Sequence, residues 1–332
     1  MSGDVRLRDG VRFDLSTGET VVCDAERPDG DINVVSHAHG DHLYDDPPAG
    51  LLCSATTAAL ARARRSDAGG FQRVDHPAVD LLPSGHVPGS RAALVTDPGD
   101  GTRYLYTGDV STRDRRDLGL EGFDPPPADE LVVESTYGKP GYAFPDQATL
   151  ERRIVDFLDG CDRPVLLFGY ALGRAQELLA LLERSERSRP YVTRAIDRIT
   201  GVLAEECGAD FAFGTRRYGE DDELGADDAL VLPARTSRLS FVERIAETTG
   251  AVKVGFSGWA VEDSYRFRAG YDEAFVLSDH CDHPELLALV DAVDPERVYT
   301  THGFTDELAA ELGRRGYDAR ALKRDQTTLG EF

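Results

Sequence analysis

The sequence predicts a mixed α/β protein in which a sheet-rich portion, contributed by both ends of the chain, is interrupted by a portion of alternating strands and helices. Three observations predict it. Short apolar runs separated by Gly and Asp turns open the chain: Val5–Leu7, Val11–Leu15, Thr20–Cys23 and Ile32–Val35. From Asp146 onward, helical and buried-strand patterns alternate. Near the end the pattern changes back, with a strand over Glu273–Leu277, a helix over Glu285–Val293, a strand over Val298–Thr300 and a helix over Thr305–Arg315.

The remaining elements follow from local chemistry. Leu51–Cys53 reads as a short strand, and Thr56–Ala68 has a helical pattern with Ser54 or Thr56 as cap. Ala92–Thr96 and Tyr104–Thr107 flank Asp-Pro-Gly-Asp-Gly-Thr, a hairpin signal. Leu131–Glu134 reads as a buried strand. In the middle, Asp146–Leu158 and Arg174–Arg184 read as helices, and Val165–Phe168, Tyr191–Val192, Ala229–Leu232 and Val252–Phe256 as strands. The acidic stretch Tyr218–Asp228 reads as a surface loop.

With 332 residues, 41% of them hydrophobic, the chain exceeds one average domain and can bury a packed core. Its 37 Lys+Arg stand against 60 Asp+Glu, a net charge of −23, and only Lys139, Lys253 and Lys323 are lysines. The acidic excess runs along the whole chain, which points to a hydrated carboxylate surface suited to a salty cytoplasm. Such a chain is a poor nonspecific binder of polyanions; if it acts on one, metal ions and a local arginine-lined groove must overcome its own field. The five cysteines (Cys23, Cys53, Cys161, Cys207, Cys281) are widely spaced with no Cys-x-x-Cys pair, so reduced thiols in a cytoplasm are expected rather than a disulfide framework or cysteine zinc finger. The first residues lack the apolar core of a signal peptide, and no apolar run is long enough to span a bilayer, so no membrane partner is expected.

The decisive segment is Val34-Val35-Ser36-His37-Ala38-His39-Gly40-Asp41-His42, an apolar strand running into three His and one Asp within six residues. Alternate side chains of a strand end share a side, so His37 and His39 can grip one cation, while Asp41 and His42 turn toward a second. His86 lies in a glycine-flanked turn, Ser84-Gly85-His86-Val87-Pro88-Gly89, after an apolar run. Asp109 follows the strand ending at Thr107, and His302 follows Val298–Thr300. Asp109 has two carboxylate oxygens and can bridge two cations. This mixed His and carboxylate set suits Zn²⁺, with Mn²⁺ an alternative.

The series His-x-His-x-Asp-His, then Ser-Gly-His-Val-Pro-Gly-Ser, then Thr-Gly-Asp-Val resembles the ligand series of the metallo-β-lactamase superfamily, with Asp24 resembling the strand-end Asp that precedes it. The resemblance implies that His37, His39, His86 and Asp109 hold a first metal, and Asp41, His42, Asp109 and His302 a second. Residues 132–138, Val-Val-Glu-Ser-Thr-Tyr-Gly, resemble the first signature of the β-CASP nucleases, with Glu134 as its acid and Ser135 and Thr136 beside the substrate. Gly169-Tyr170-Ala171-Leu172-Gly173-Arg174 resembles the helix start of their inserted domain, with Arg174 meeting phosphates. Ser278-Asp279-His280-Cys281-Asp282 and Thr301-His302-Gly303 resemble the second and third signatures, with His280 the motif histidine. The implied fold is a four-layered αββα metallo-β-lactamase domain (residues 1–138 and 272–332) interrupted by a small α/β β-CASP insert (139–271).

The resemblance further implies a di-zinc nuclease acting on phosphodiester bonds. His280 is its general acid, Glu134 orients His280 or a ligand histidine, and Asp24 supports a ligand from behind. The expected substrate is RNA, in RNA processing or 3′-end maturation, with single-stranded DNA the alternative for a ligase-associated repair exonuclease; a homodimer is compatible with both. Rival readings are a non-nuclease metallo-hydrolase and an inactive scaffold subunit of a processing complex. Cys281 and His283 flank His280 as bystanders, Trp259 reads as a core residue, and His76 reads as a surface turn residue.

Overall fold

The computed structural model describes residues 4–65, 70–208, 211–219 and 221–324. They form two compact units: Met1–Thr112, Gly122–Gly141 and His280–Phe332 make the first, and Arg113–Glu121 with Tyr142–Asp279 the second. Among the described residues no helix is long and apolar enough to cross a membrane.

The first unit holds two main sheets. Asp4–Leu7, Val11–Asp14, Thr20–Cys23 and Ile32–Val34 pair in sequence order, the last pair being parallel. The second sheet has six strands in the order Asp318–Ala321, Arg297–Gly303, Glu130–Ser135, Arg103–Tyr106, Arg91–Thr96 and Val79–Pro83. Its Arg91–Thr96 and Arg103–Tyr106 strands are antiparallel across the Asp-Pro-Gly-Asp-Gly-Thr turn. Glu130–Ser135 is buried throughout and parallel to both neighbours, as a central parallel strand should be.

Period-two alternation divides this strand between two cores. Val132 joins Phe13, Val21, Tyr104, Tyr106 and Tyr299 in the apolar layer shared with the four-stranded sheet. Leu131 and Val133 point the other way, into a layer with Leu286 and Val290 of the helix His283–Val293 and Leu308 and Leu312 of the helix Thr305–Arg314. The segments at the strand ends are thereby held from two sides.

The second unit is built on a six-stranded sheet in the order Arg216–Arg217, Tyr191–Val192, Ala229–Pro233, Val165–Gly169, Val252–Phe256 and Glu273–Phe275, with every pairing parallel. Val165–Gly169 and Val252–Phe256 are buried along their length. Leu166, Phe168, Leu230, Leu232, Val242 and Tyr271 share one of its cores.

Element ends depart from the sequence expectation where capping decides them. The helix expected from Glu285 begins at His283, because Asp282 caps it, Glu285 completes a capping box and Pro284 fits the first turn. Asp146 is the cap of the helix Gln147–Gly160 rather than its first residue. The helix expected over Thr56–Ala68 starts at Ala55 and is described to Arg64, with residues 66–68 outside the described residues. The acidic stretch from Tyr218 to Asp228 has no helix or strand among its described residues; Glu220 lies outside them. The edge strand Asp318–Ala321 is an addition to the sequence expectation: it is short and half exposed, and its apolar period consists of only two small residues, Ala319 and Ala321.

Gly303, at φ +69°, brings the end of its strand against the bulge in Glu130–Ser135, and a Cβ there would stand 2.4 Å from the Ser135 carbonyl oxygen. Gly303→Ala should therefore lose at least about 1–2 kcal/mol from the left-handed backbone alone, with the backbone clash adding to it. Chemical denaturation measures this, and a wild-type midpoint would contradict the close approach.

Candidate metal centre

Every side chain of this site belongs to the first unit. The buried strand Ile32–Val34 ends in Val35-Ser36-His37, and His37 is fully buried. His86 is carried by the turn after Val79–Pro83, and that turn is tied to the Asp109 loop by the Ser84 hydroxyl, which donates to the Asp109 carbonyl at 3.0 Å. Asp109 follows Arg103–Tyr106 through Gly108, where the backbone lies so close that a Cβ would be 2.7 Å from Cβ of Ser36. Three strand ends are thus drawn to one point.

At that point three imidazoles face one carboxylate oxygen. Asp109 Oδ2 lies 3.5 Å from His37 Nε2, 3.4 Å from His42 Nε2 and 3.6 Å from His86 Nε2. His39 Nδ1 is 3.2 Å from His86 Nε2. His37, His39, His86 and Asp109 each offer a ligand atom, all within 4.8 Å of one another, so this set can hold one metal ion.

The second expected set is only partly assembled. His42 and Asp109 meet as above, and the His302 ring lies 5.3 Å from that of His42, centroid to centroid. His302 is exposed, with φ +56°. Asp41 is also exposed and joins no ligand group among the described residues. Asp24, His37 and His42 do form such a group, but the Asp24 oxygens already receive Ser36 N (2.7 Å), the Ser36 hydroxyl (2.5 Å) and the Tyr106 hydroxyl (2.8 Å), with His42 Nδ1 at 2.8 Å. That crowding suits a carboxylate orienting a ligand from behind.

Glu134 is completely buried at the end of its strand. Its Oε1 accepts from Val110 N (3.2 Å) and lies 2.7 Å from His280 Nδ1, and its Oε2 accepts from Thr136 N (3.0 Å). The His280 ring lies 4.6 Å from that of His86. Ser135 is buried, and its hydroxyl donates to the carbonyls of Thr301 and His302, tying the two strands together rather than facing solvent. Arg174 also departs from expectation. It is 2% exposed inside the second unit, pairing with Glu177 and with Asp279 at 3.1 Å, so its guanidinium is spent on two buried carboxylates and is not a solvent-facing phosphate contact.

Cys281 is buried, 3.7 Å from the Thr112 hydroxyl, and His283 is buried on its helix. Trp259 is half-buried, edge-on to Tyr142 at 5.4 Å. His76 is half-buried in a tight turn. Sequence reasoning missed Ser36 and Tyr106. Each is an ordinary residue by type, and the only signal was position: Ser36 directly precedes the histidine run, and Tyr106 ends the strand before Asp109.

Burial and the neighbouring imidazoles of His42 and His86 push His37 well below the usual histidine range. Burial works in the same direction on His42, but Asp109 and Asp24 outweigh it and hold His42 well above that range. Asp109 is likewise opposed by burial, yet His42 and His280 keep it well below the usual carboxylate range. The decisive atom is Nε2 of His37, which is buried and has no hydrogen-bond partner. A buried polar nitrogen left so costs roughly 1–3 kcal/mol. It also points at the oxygen that His42 and His86 share, which fits the donor chemistry of a divalent metal.

The comparisons with known proteins run the same way. The chain is 36% identical over 316 residues to a probable DNA ligase of Opitutus terrae, covering 89% of this chain and 29% of that protein. It is 34% identical over 108 residues to an RNase J-like protein of Methanocaldococcus jannaschii (32% of this chain, 25% of that one). It is 33% identical over 149 residues to cleavage and polyadenylation specificity factor subunit 3 of Dictyostelium discoideum (41% and 18%). The chain belongs to the β-CASP nuclease group of the metallo-β-lactamase superfamily. This β-CASP chain spans less than a third of the length of each of these relatives. No family model matches it. Its fold is shared with a protein of unknown function from Enterococcus faecalis V583, at a TM-score of 0.57 and 17% identity over 91% of this chain and 82% of that one.

Metal uptake should stabilise the fold by mass action, about 2.7 kcal/mol for each site at a free-ion concentration 100 times its Kd. Thermal unfolding of chelator-treated protein with and without Zn²⁺ or Mn²⁺ reads this out. His37→Ala should abolish most of the upward shift in Tm, and an equal shift in both proteins would place the metal elsewhere.

Proposed function

We propose that the chain is a metal-dependent phosphodiesterase that hydrolyses single-stranded nucleic acid, with two Zn²⁺ ions, or Mn²⁺ in their place, as its cofactors. One observation carries the reading: the buried, unpartnered Nε2 of His37 faces the Asp109 oxygen that His42 and His86 also face. His37, His39, His86 and Asp109 would hold one ion. His42 and Asp109 would begin the second site, with His302 and Asp41 the candidates to complete it. When bound, such a pair supplies Lewis acidity toward a phosphoryl oxygen and acidifies a water for attack near neutral pH.

The chain's own contribution is proton transfer and orientation. The leaving oxygen needs a proton as its bond to phosphorus breaks, and His280 is the donor we assign. Glu134 receives His280 Nδ1–H at 2.7 Å, which leaves Nε2 to carry the transferable proton and stabilises the charged ring. Glu134 is itself held by two backbone amides, so the imidazole is fixed before substrate arrives. Asp24 does the same for His42.

The same reading takes the flanking segments, 1–138 and 272–332, as a four-layered αββα metallo-β-lactamase domain and 139–271 as its β-CASP insert, working in a salty cytoplasm. Both RNA and single-stranded DNA fit a site that grips phosphodiesters. Relatives named as RNase J-like or as endoribonucleases match about a third to a half of the chain. One observation favours DNA: the relative that aligns with 89% of the chain is named a probable DNA ligase. A ligase-associated exonuclease is therefore the second reading.

Three experiments test the proposal. With 5′- and 3′-labelled RNA and single-stranded DNA offered in parallel at high salt with Zn²⁺ or Mn²⁺, wild type should cleave at least one polymer; intact substrates throughout would refute it. His280→Ala should keep both ions while turnover falls by about 10²–10⁴, and an unchanged rate would remove His280 from the acid role. His42→Ala should lose the second ion and nearly all hydrolysis while remaining folded.

A further inference from the structure

One hydrogen-bond chain behind the imidazoles extends beyond the Asp24–His42 contact used above, and it starts at Asp24. This residue follows the strand Thr20–Cys23 in the left-handed region, at φ +52°, which turns its carboxylate toward Ser36. Oδ1 accepts from Ser36 N at 2.7 Å. Oδ2 accepts from the Ser36 hydroxyl at 2.5 Å and the Tyr106 hydroxyl at 2.8 Å, and lies 2.8 Å from His42 Nδ1. The Ser36 oxygen also lies 3.0 Å from His37 Nδ1.

Counting protons decides the directions. A serine hydroxyl has one proton. At 2.5 Å from a carboxylate oxygen, that proton lies in a short charge-assisted bond to Asp24. The Ser36 oxygen then offers His37 only lone pairs, so the proton in the 3.0 Å contact must come from His37 Nδ1. A neutral imidazole with its proton on Nδ1 has its lone pair on Nε2. The carboxylate has no proton to give His42 either, so His42 Nδ1 donates as well.

We infer that Ser36 is a positioning residue: its hydroxyl relays the demand of Asp24 to His37, so that one carboxylate fixes a proton on Nδ1 of two histidines, His42 directly and His37 through the serine. Both Nε2 atoms are thereby presented toward Asp109, at 3.4 and 3.5 Å. Ser36 is 2% exposed, and Gly108 leaves room for it where a Cβ would stand 2.8 Å from its hydroxyl oxygen. Tyr106, fully buried, adds a further donor that keeps the Asp24 carboxylate in place.

The inference rests on the metal reading for its purpose, but the tautomer can be read without metal or substrate. Long-range ¹H–¹⁵N correlation on chelator-treated full-length protein, with His37 assigned by comparison with His37→Gln, reports which ring nitrogen carries the proton. Wild type should show a protonated Nδ1 and a bare Nε2 at His37. Ser36→Ala should lose that preference, and in a chelator-competition titration with Zn²⁺ its affinity for one of two ions should fall about 10–100-fold. A wild-type His37 protonated on Nε2 would overturn the inference, as would a folded Ser36→Ala protein that binds both ions with wild-type affinity. Should wild type show the Nδ1–H tautomer but bind neither Zn²⁺ nor Mn²⁺, the relay would stand and the metal reading would fall.

Discussion

The structure turns on a single oxygen. Asp109 Oδ2 sits within 3.6 Å of three imidazole nitrogens in a place from which solvent is almost excluded. Burying polar and charged groups this densely is unfavourable unless each finds a partner. Within the chain the balance is incomplete: His42 is pushed toward its charged form by Asp109 and Asp24, while His37 is pushed toward neutrality and keeps a partnerless Nε2. The two carboxylates thus favour the charged form of one imidazole, while burial favours the neutral form of its neighbour. A polypeptide that only needed a stable core would fill this space with apolar side chains.

The fold serves that point of convergence. Two sheets share an apolar layer, and a pair of helices covers the far face of the larger sheet. Residues 37 to 42, 86, 109, 134 and 302 all lie at or just past strand ends, where backbone hydrogen bonding stops and side chains gain directional freedom. The adjustments are local and costly: positive φ at Asp24 and His302, and glycines where the chains touch at Gly108 and Gly303. Strained backbone gathered at such a cluster is expected where geometry is held for chemistry.

Much of this was legible in the sequence, for identifiable reasons. Period-two apolar runs and the Asp-Pro-Gly-Asp-Gly-Thr turn specify strands by local chemistry, and the His37–His42 run declares itself because so many ligand types rarely fall together. Helix starts were less legible: Asp282 and Asp146 act as caps through side-chain geometry that spacing alone does not reveal. Arg174 was misjudged because a lone arginine at a helix start looks the same whether it meets solvent or, as here, two buried carboxylates of its own unit. Ser36 and Tyr106 were invisible because their role lies in which oxygen they reach, across distances in the chain that no spacing rule spans.

The most direct test of the account is anomalous diffraction at the zinc edge from crystals of the full chain grown with Zn²⁺. The account predicts two strong peaks, both in contact with Asp109, with His37, His39 and His86 at one and His42 at the other. Density for ions only at surface carboxylates, with the Asp109 cluster showing no anomalous signal, would contradict it.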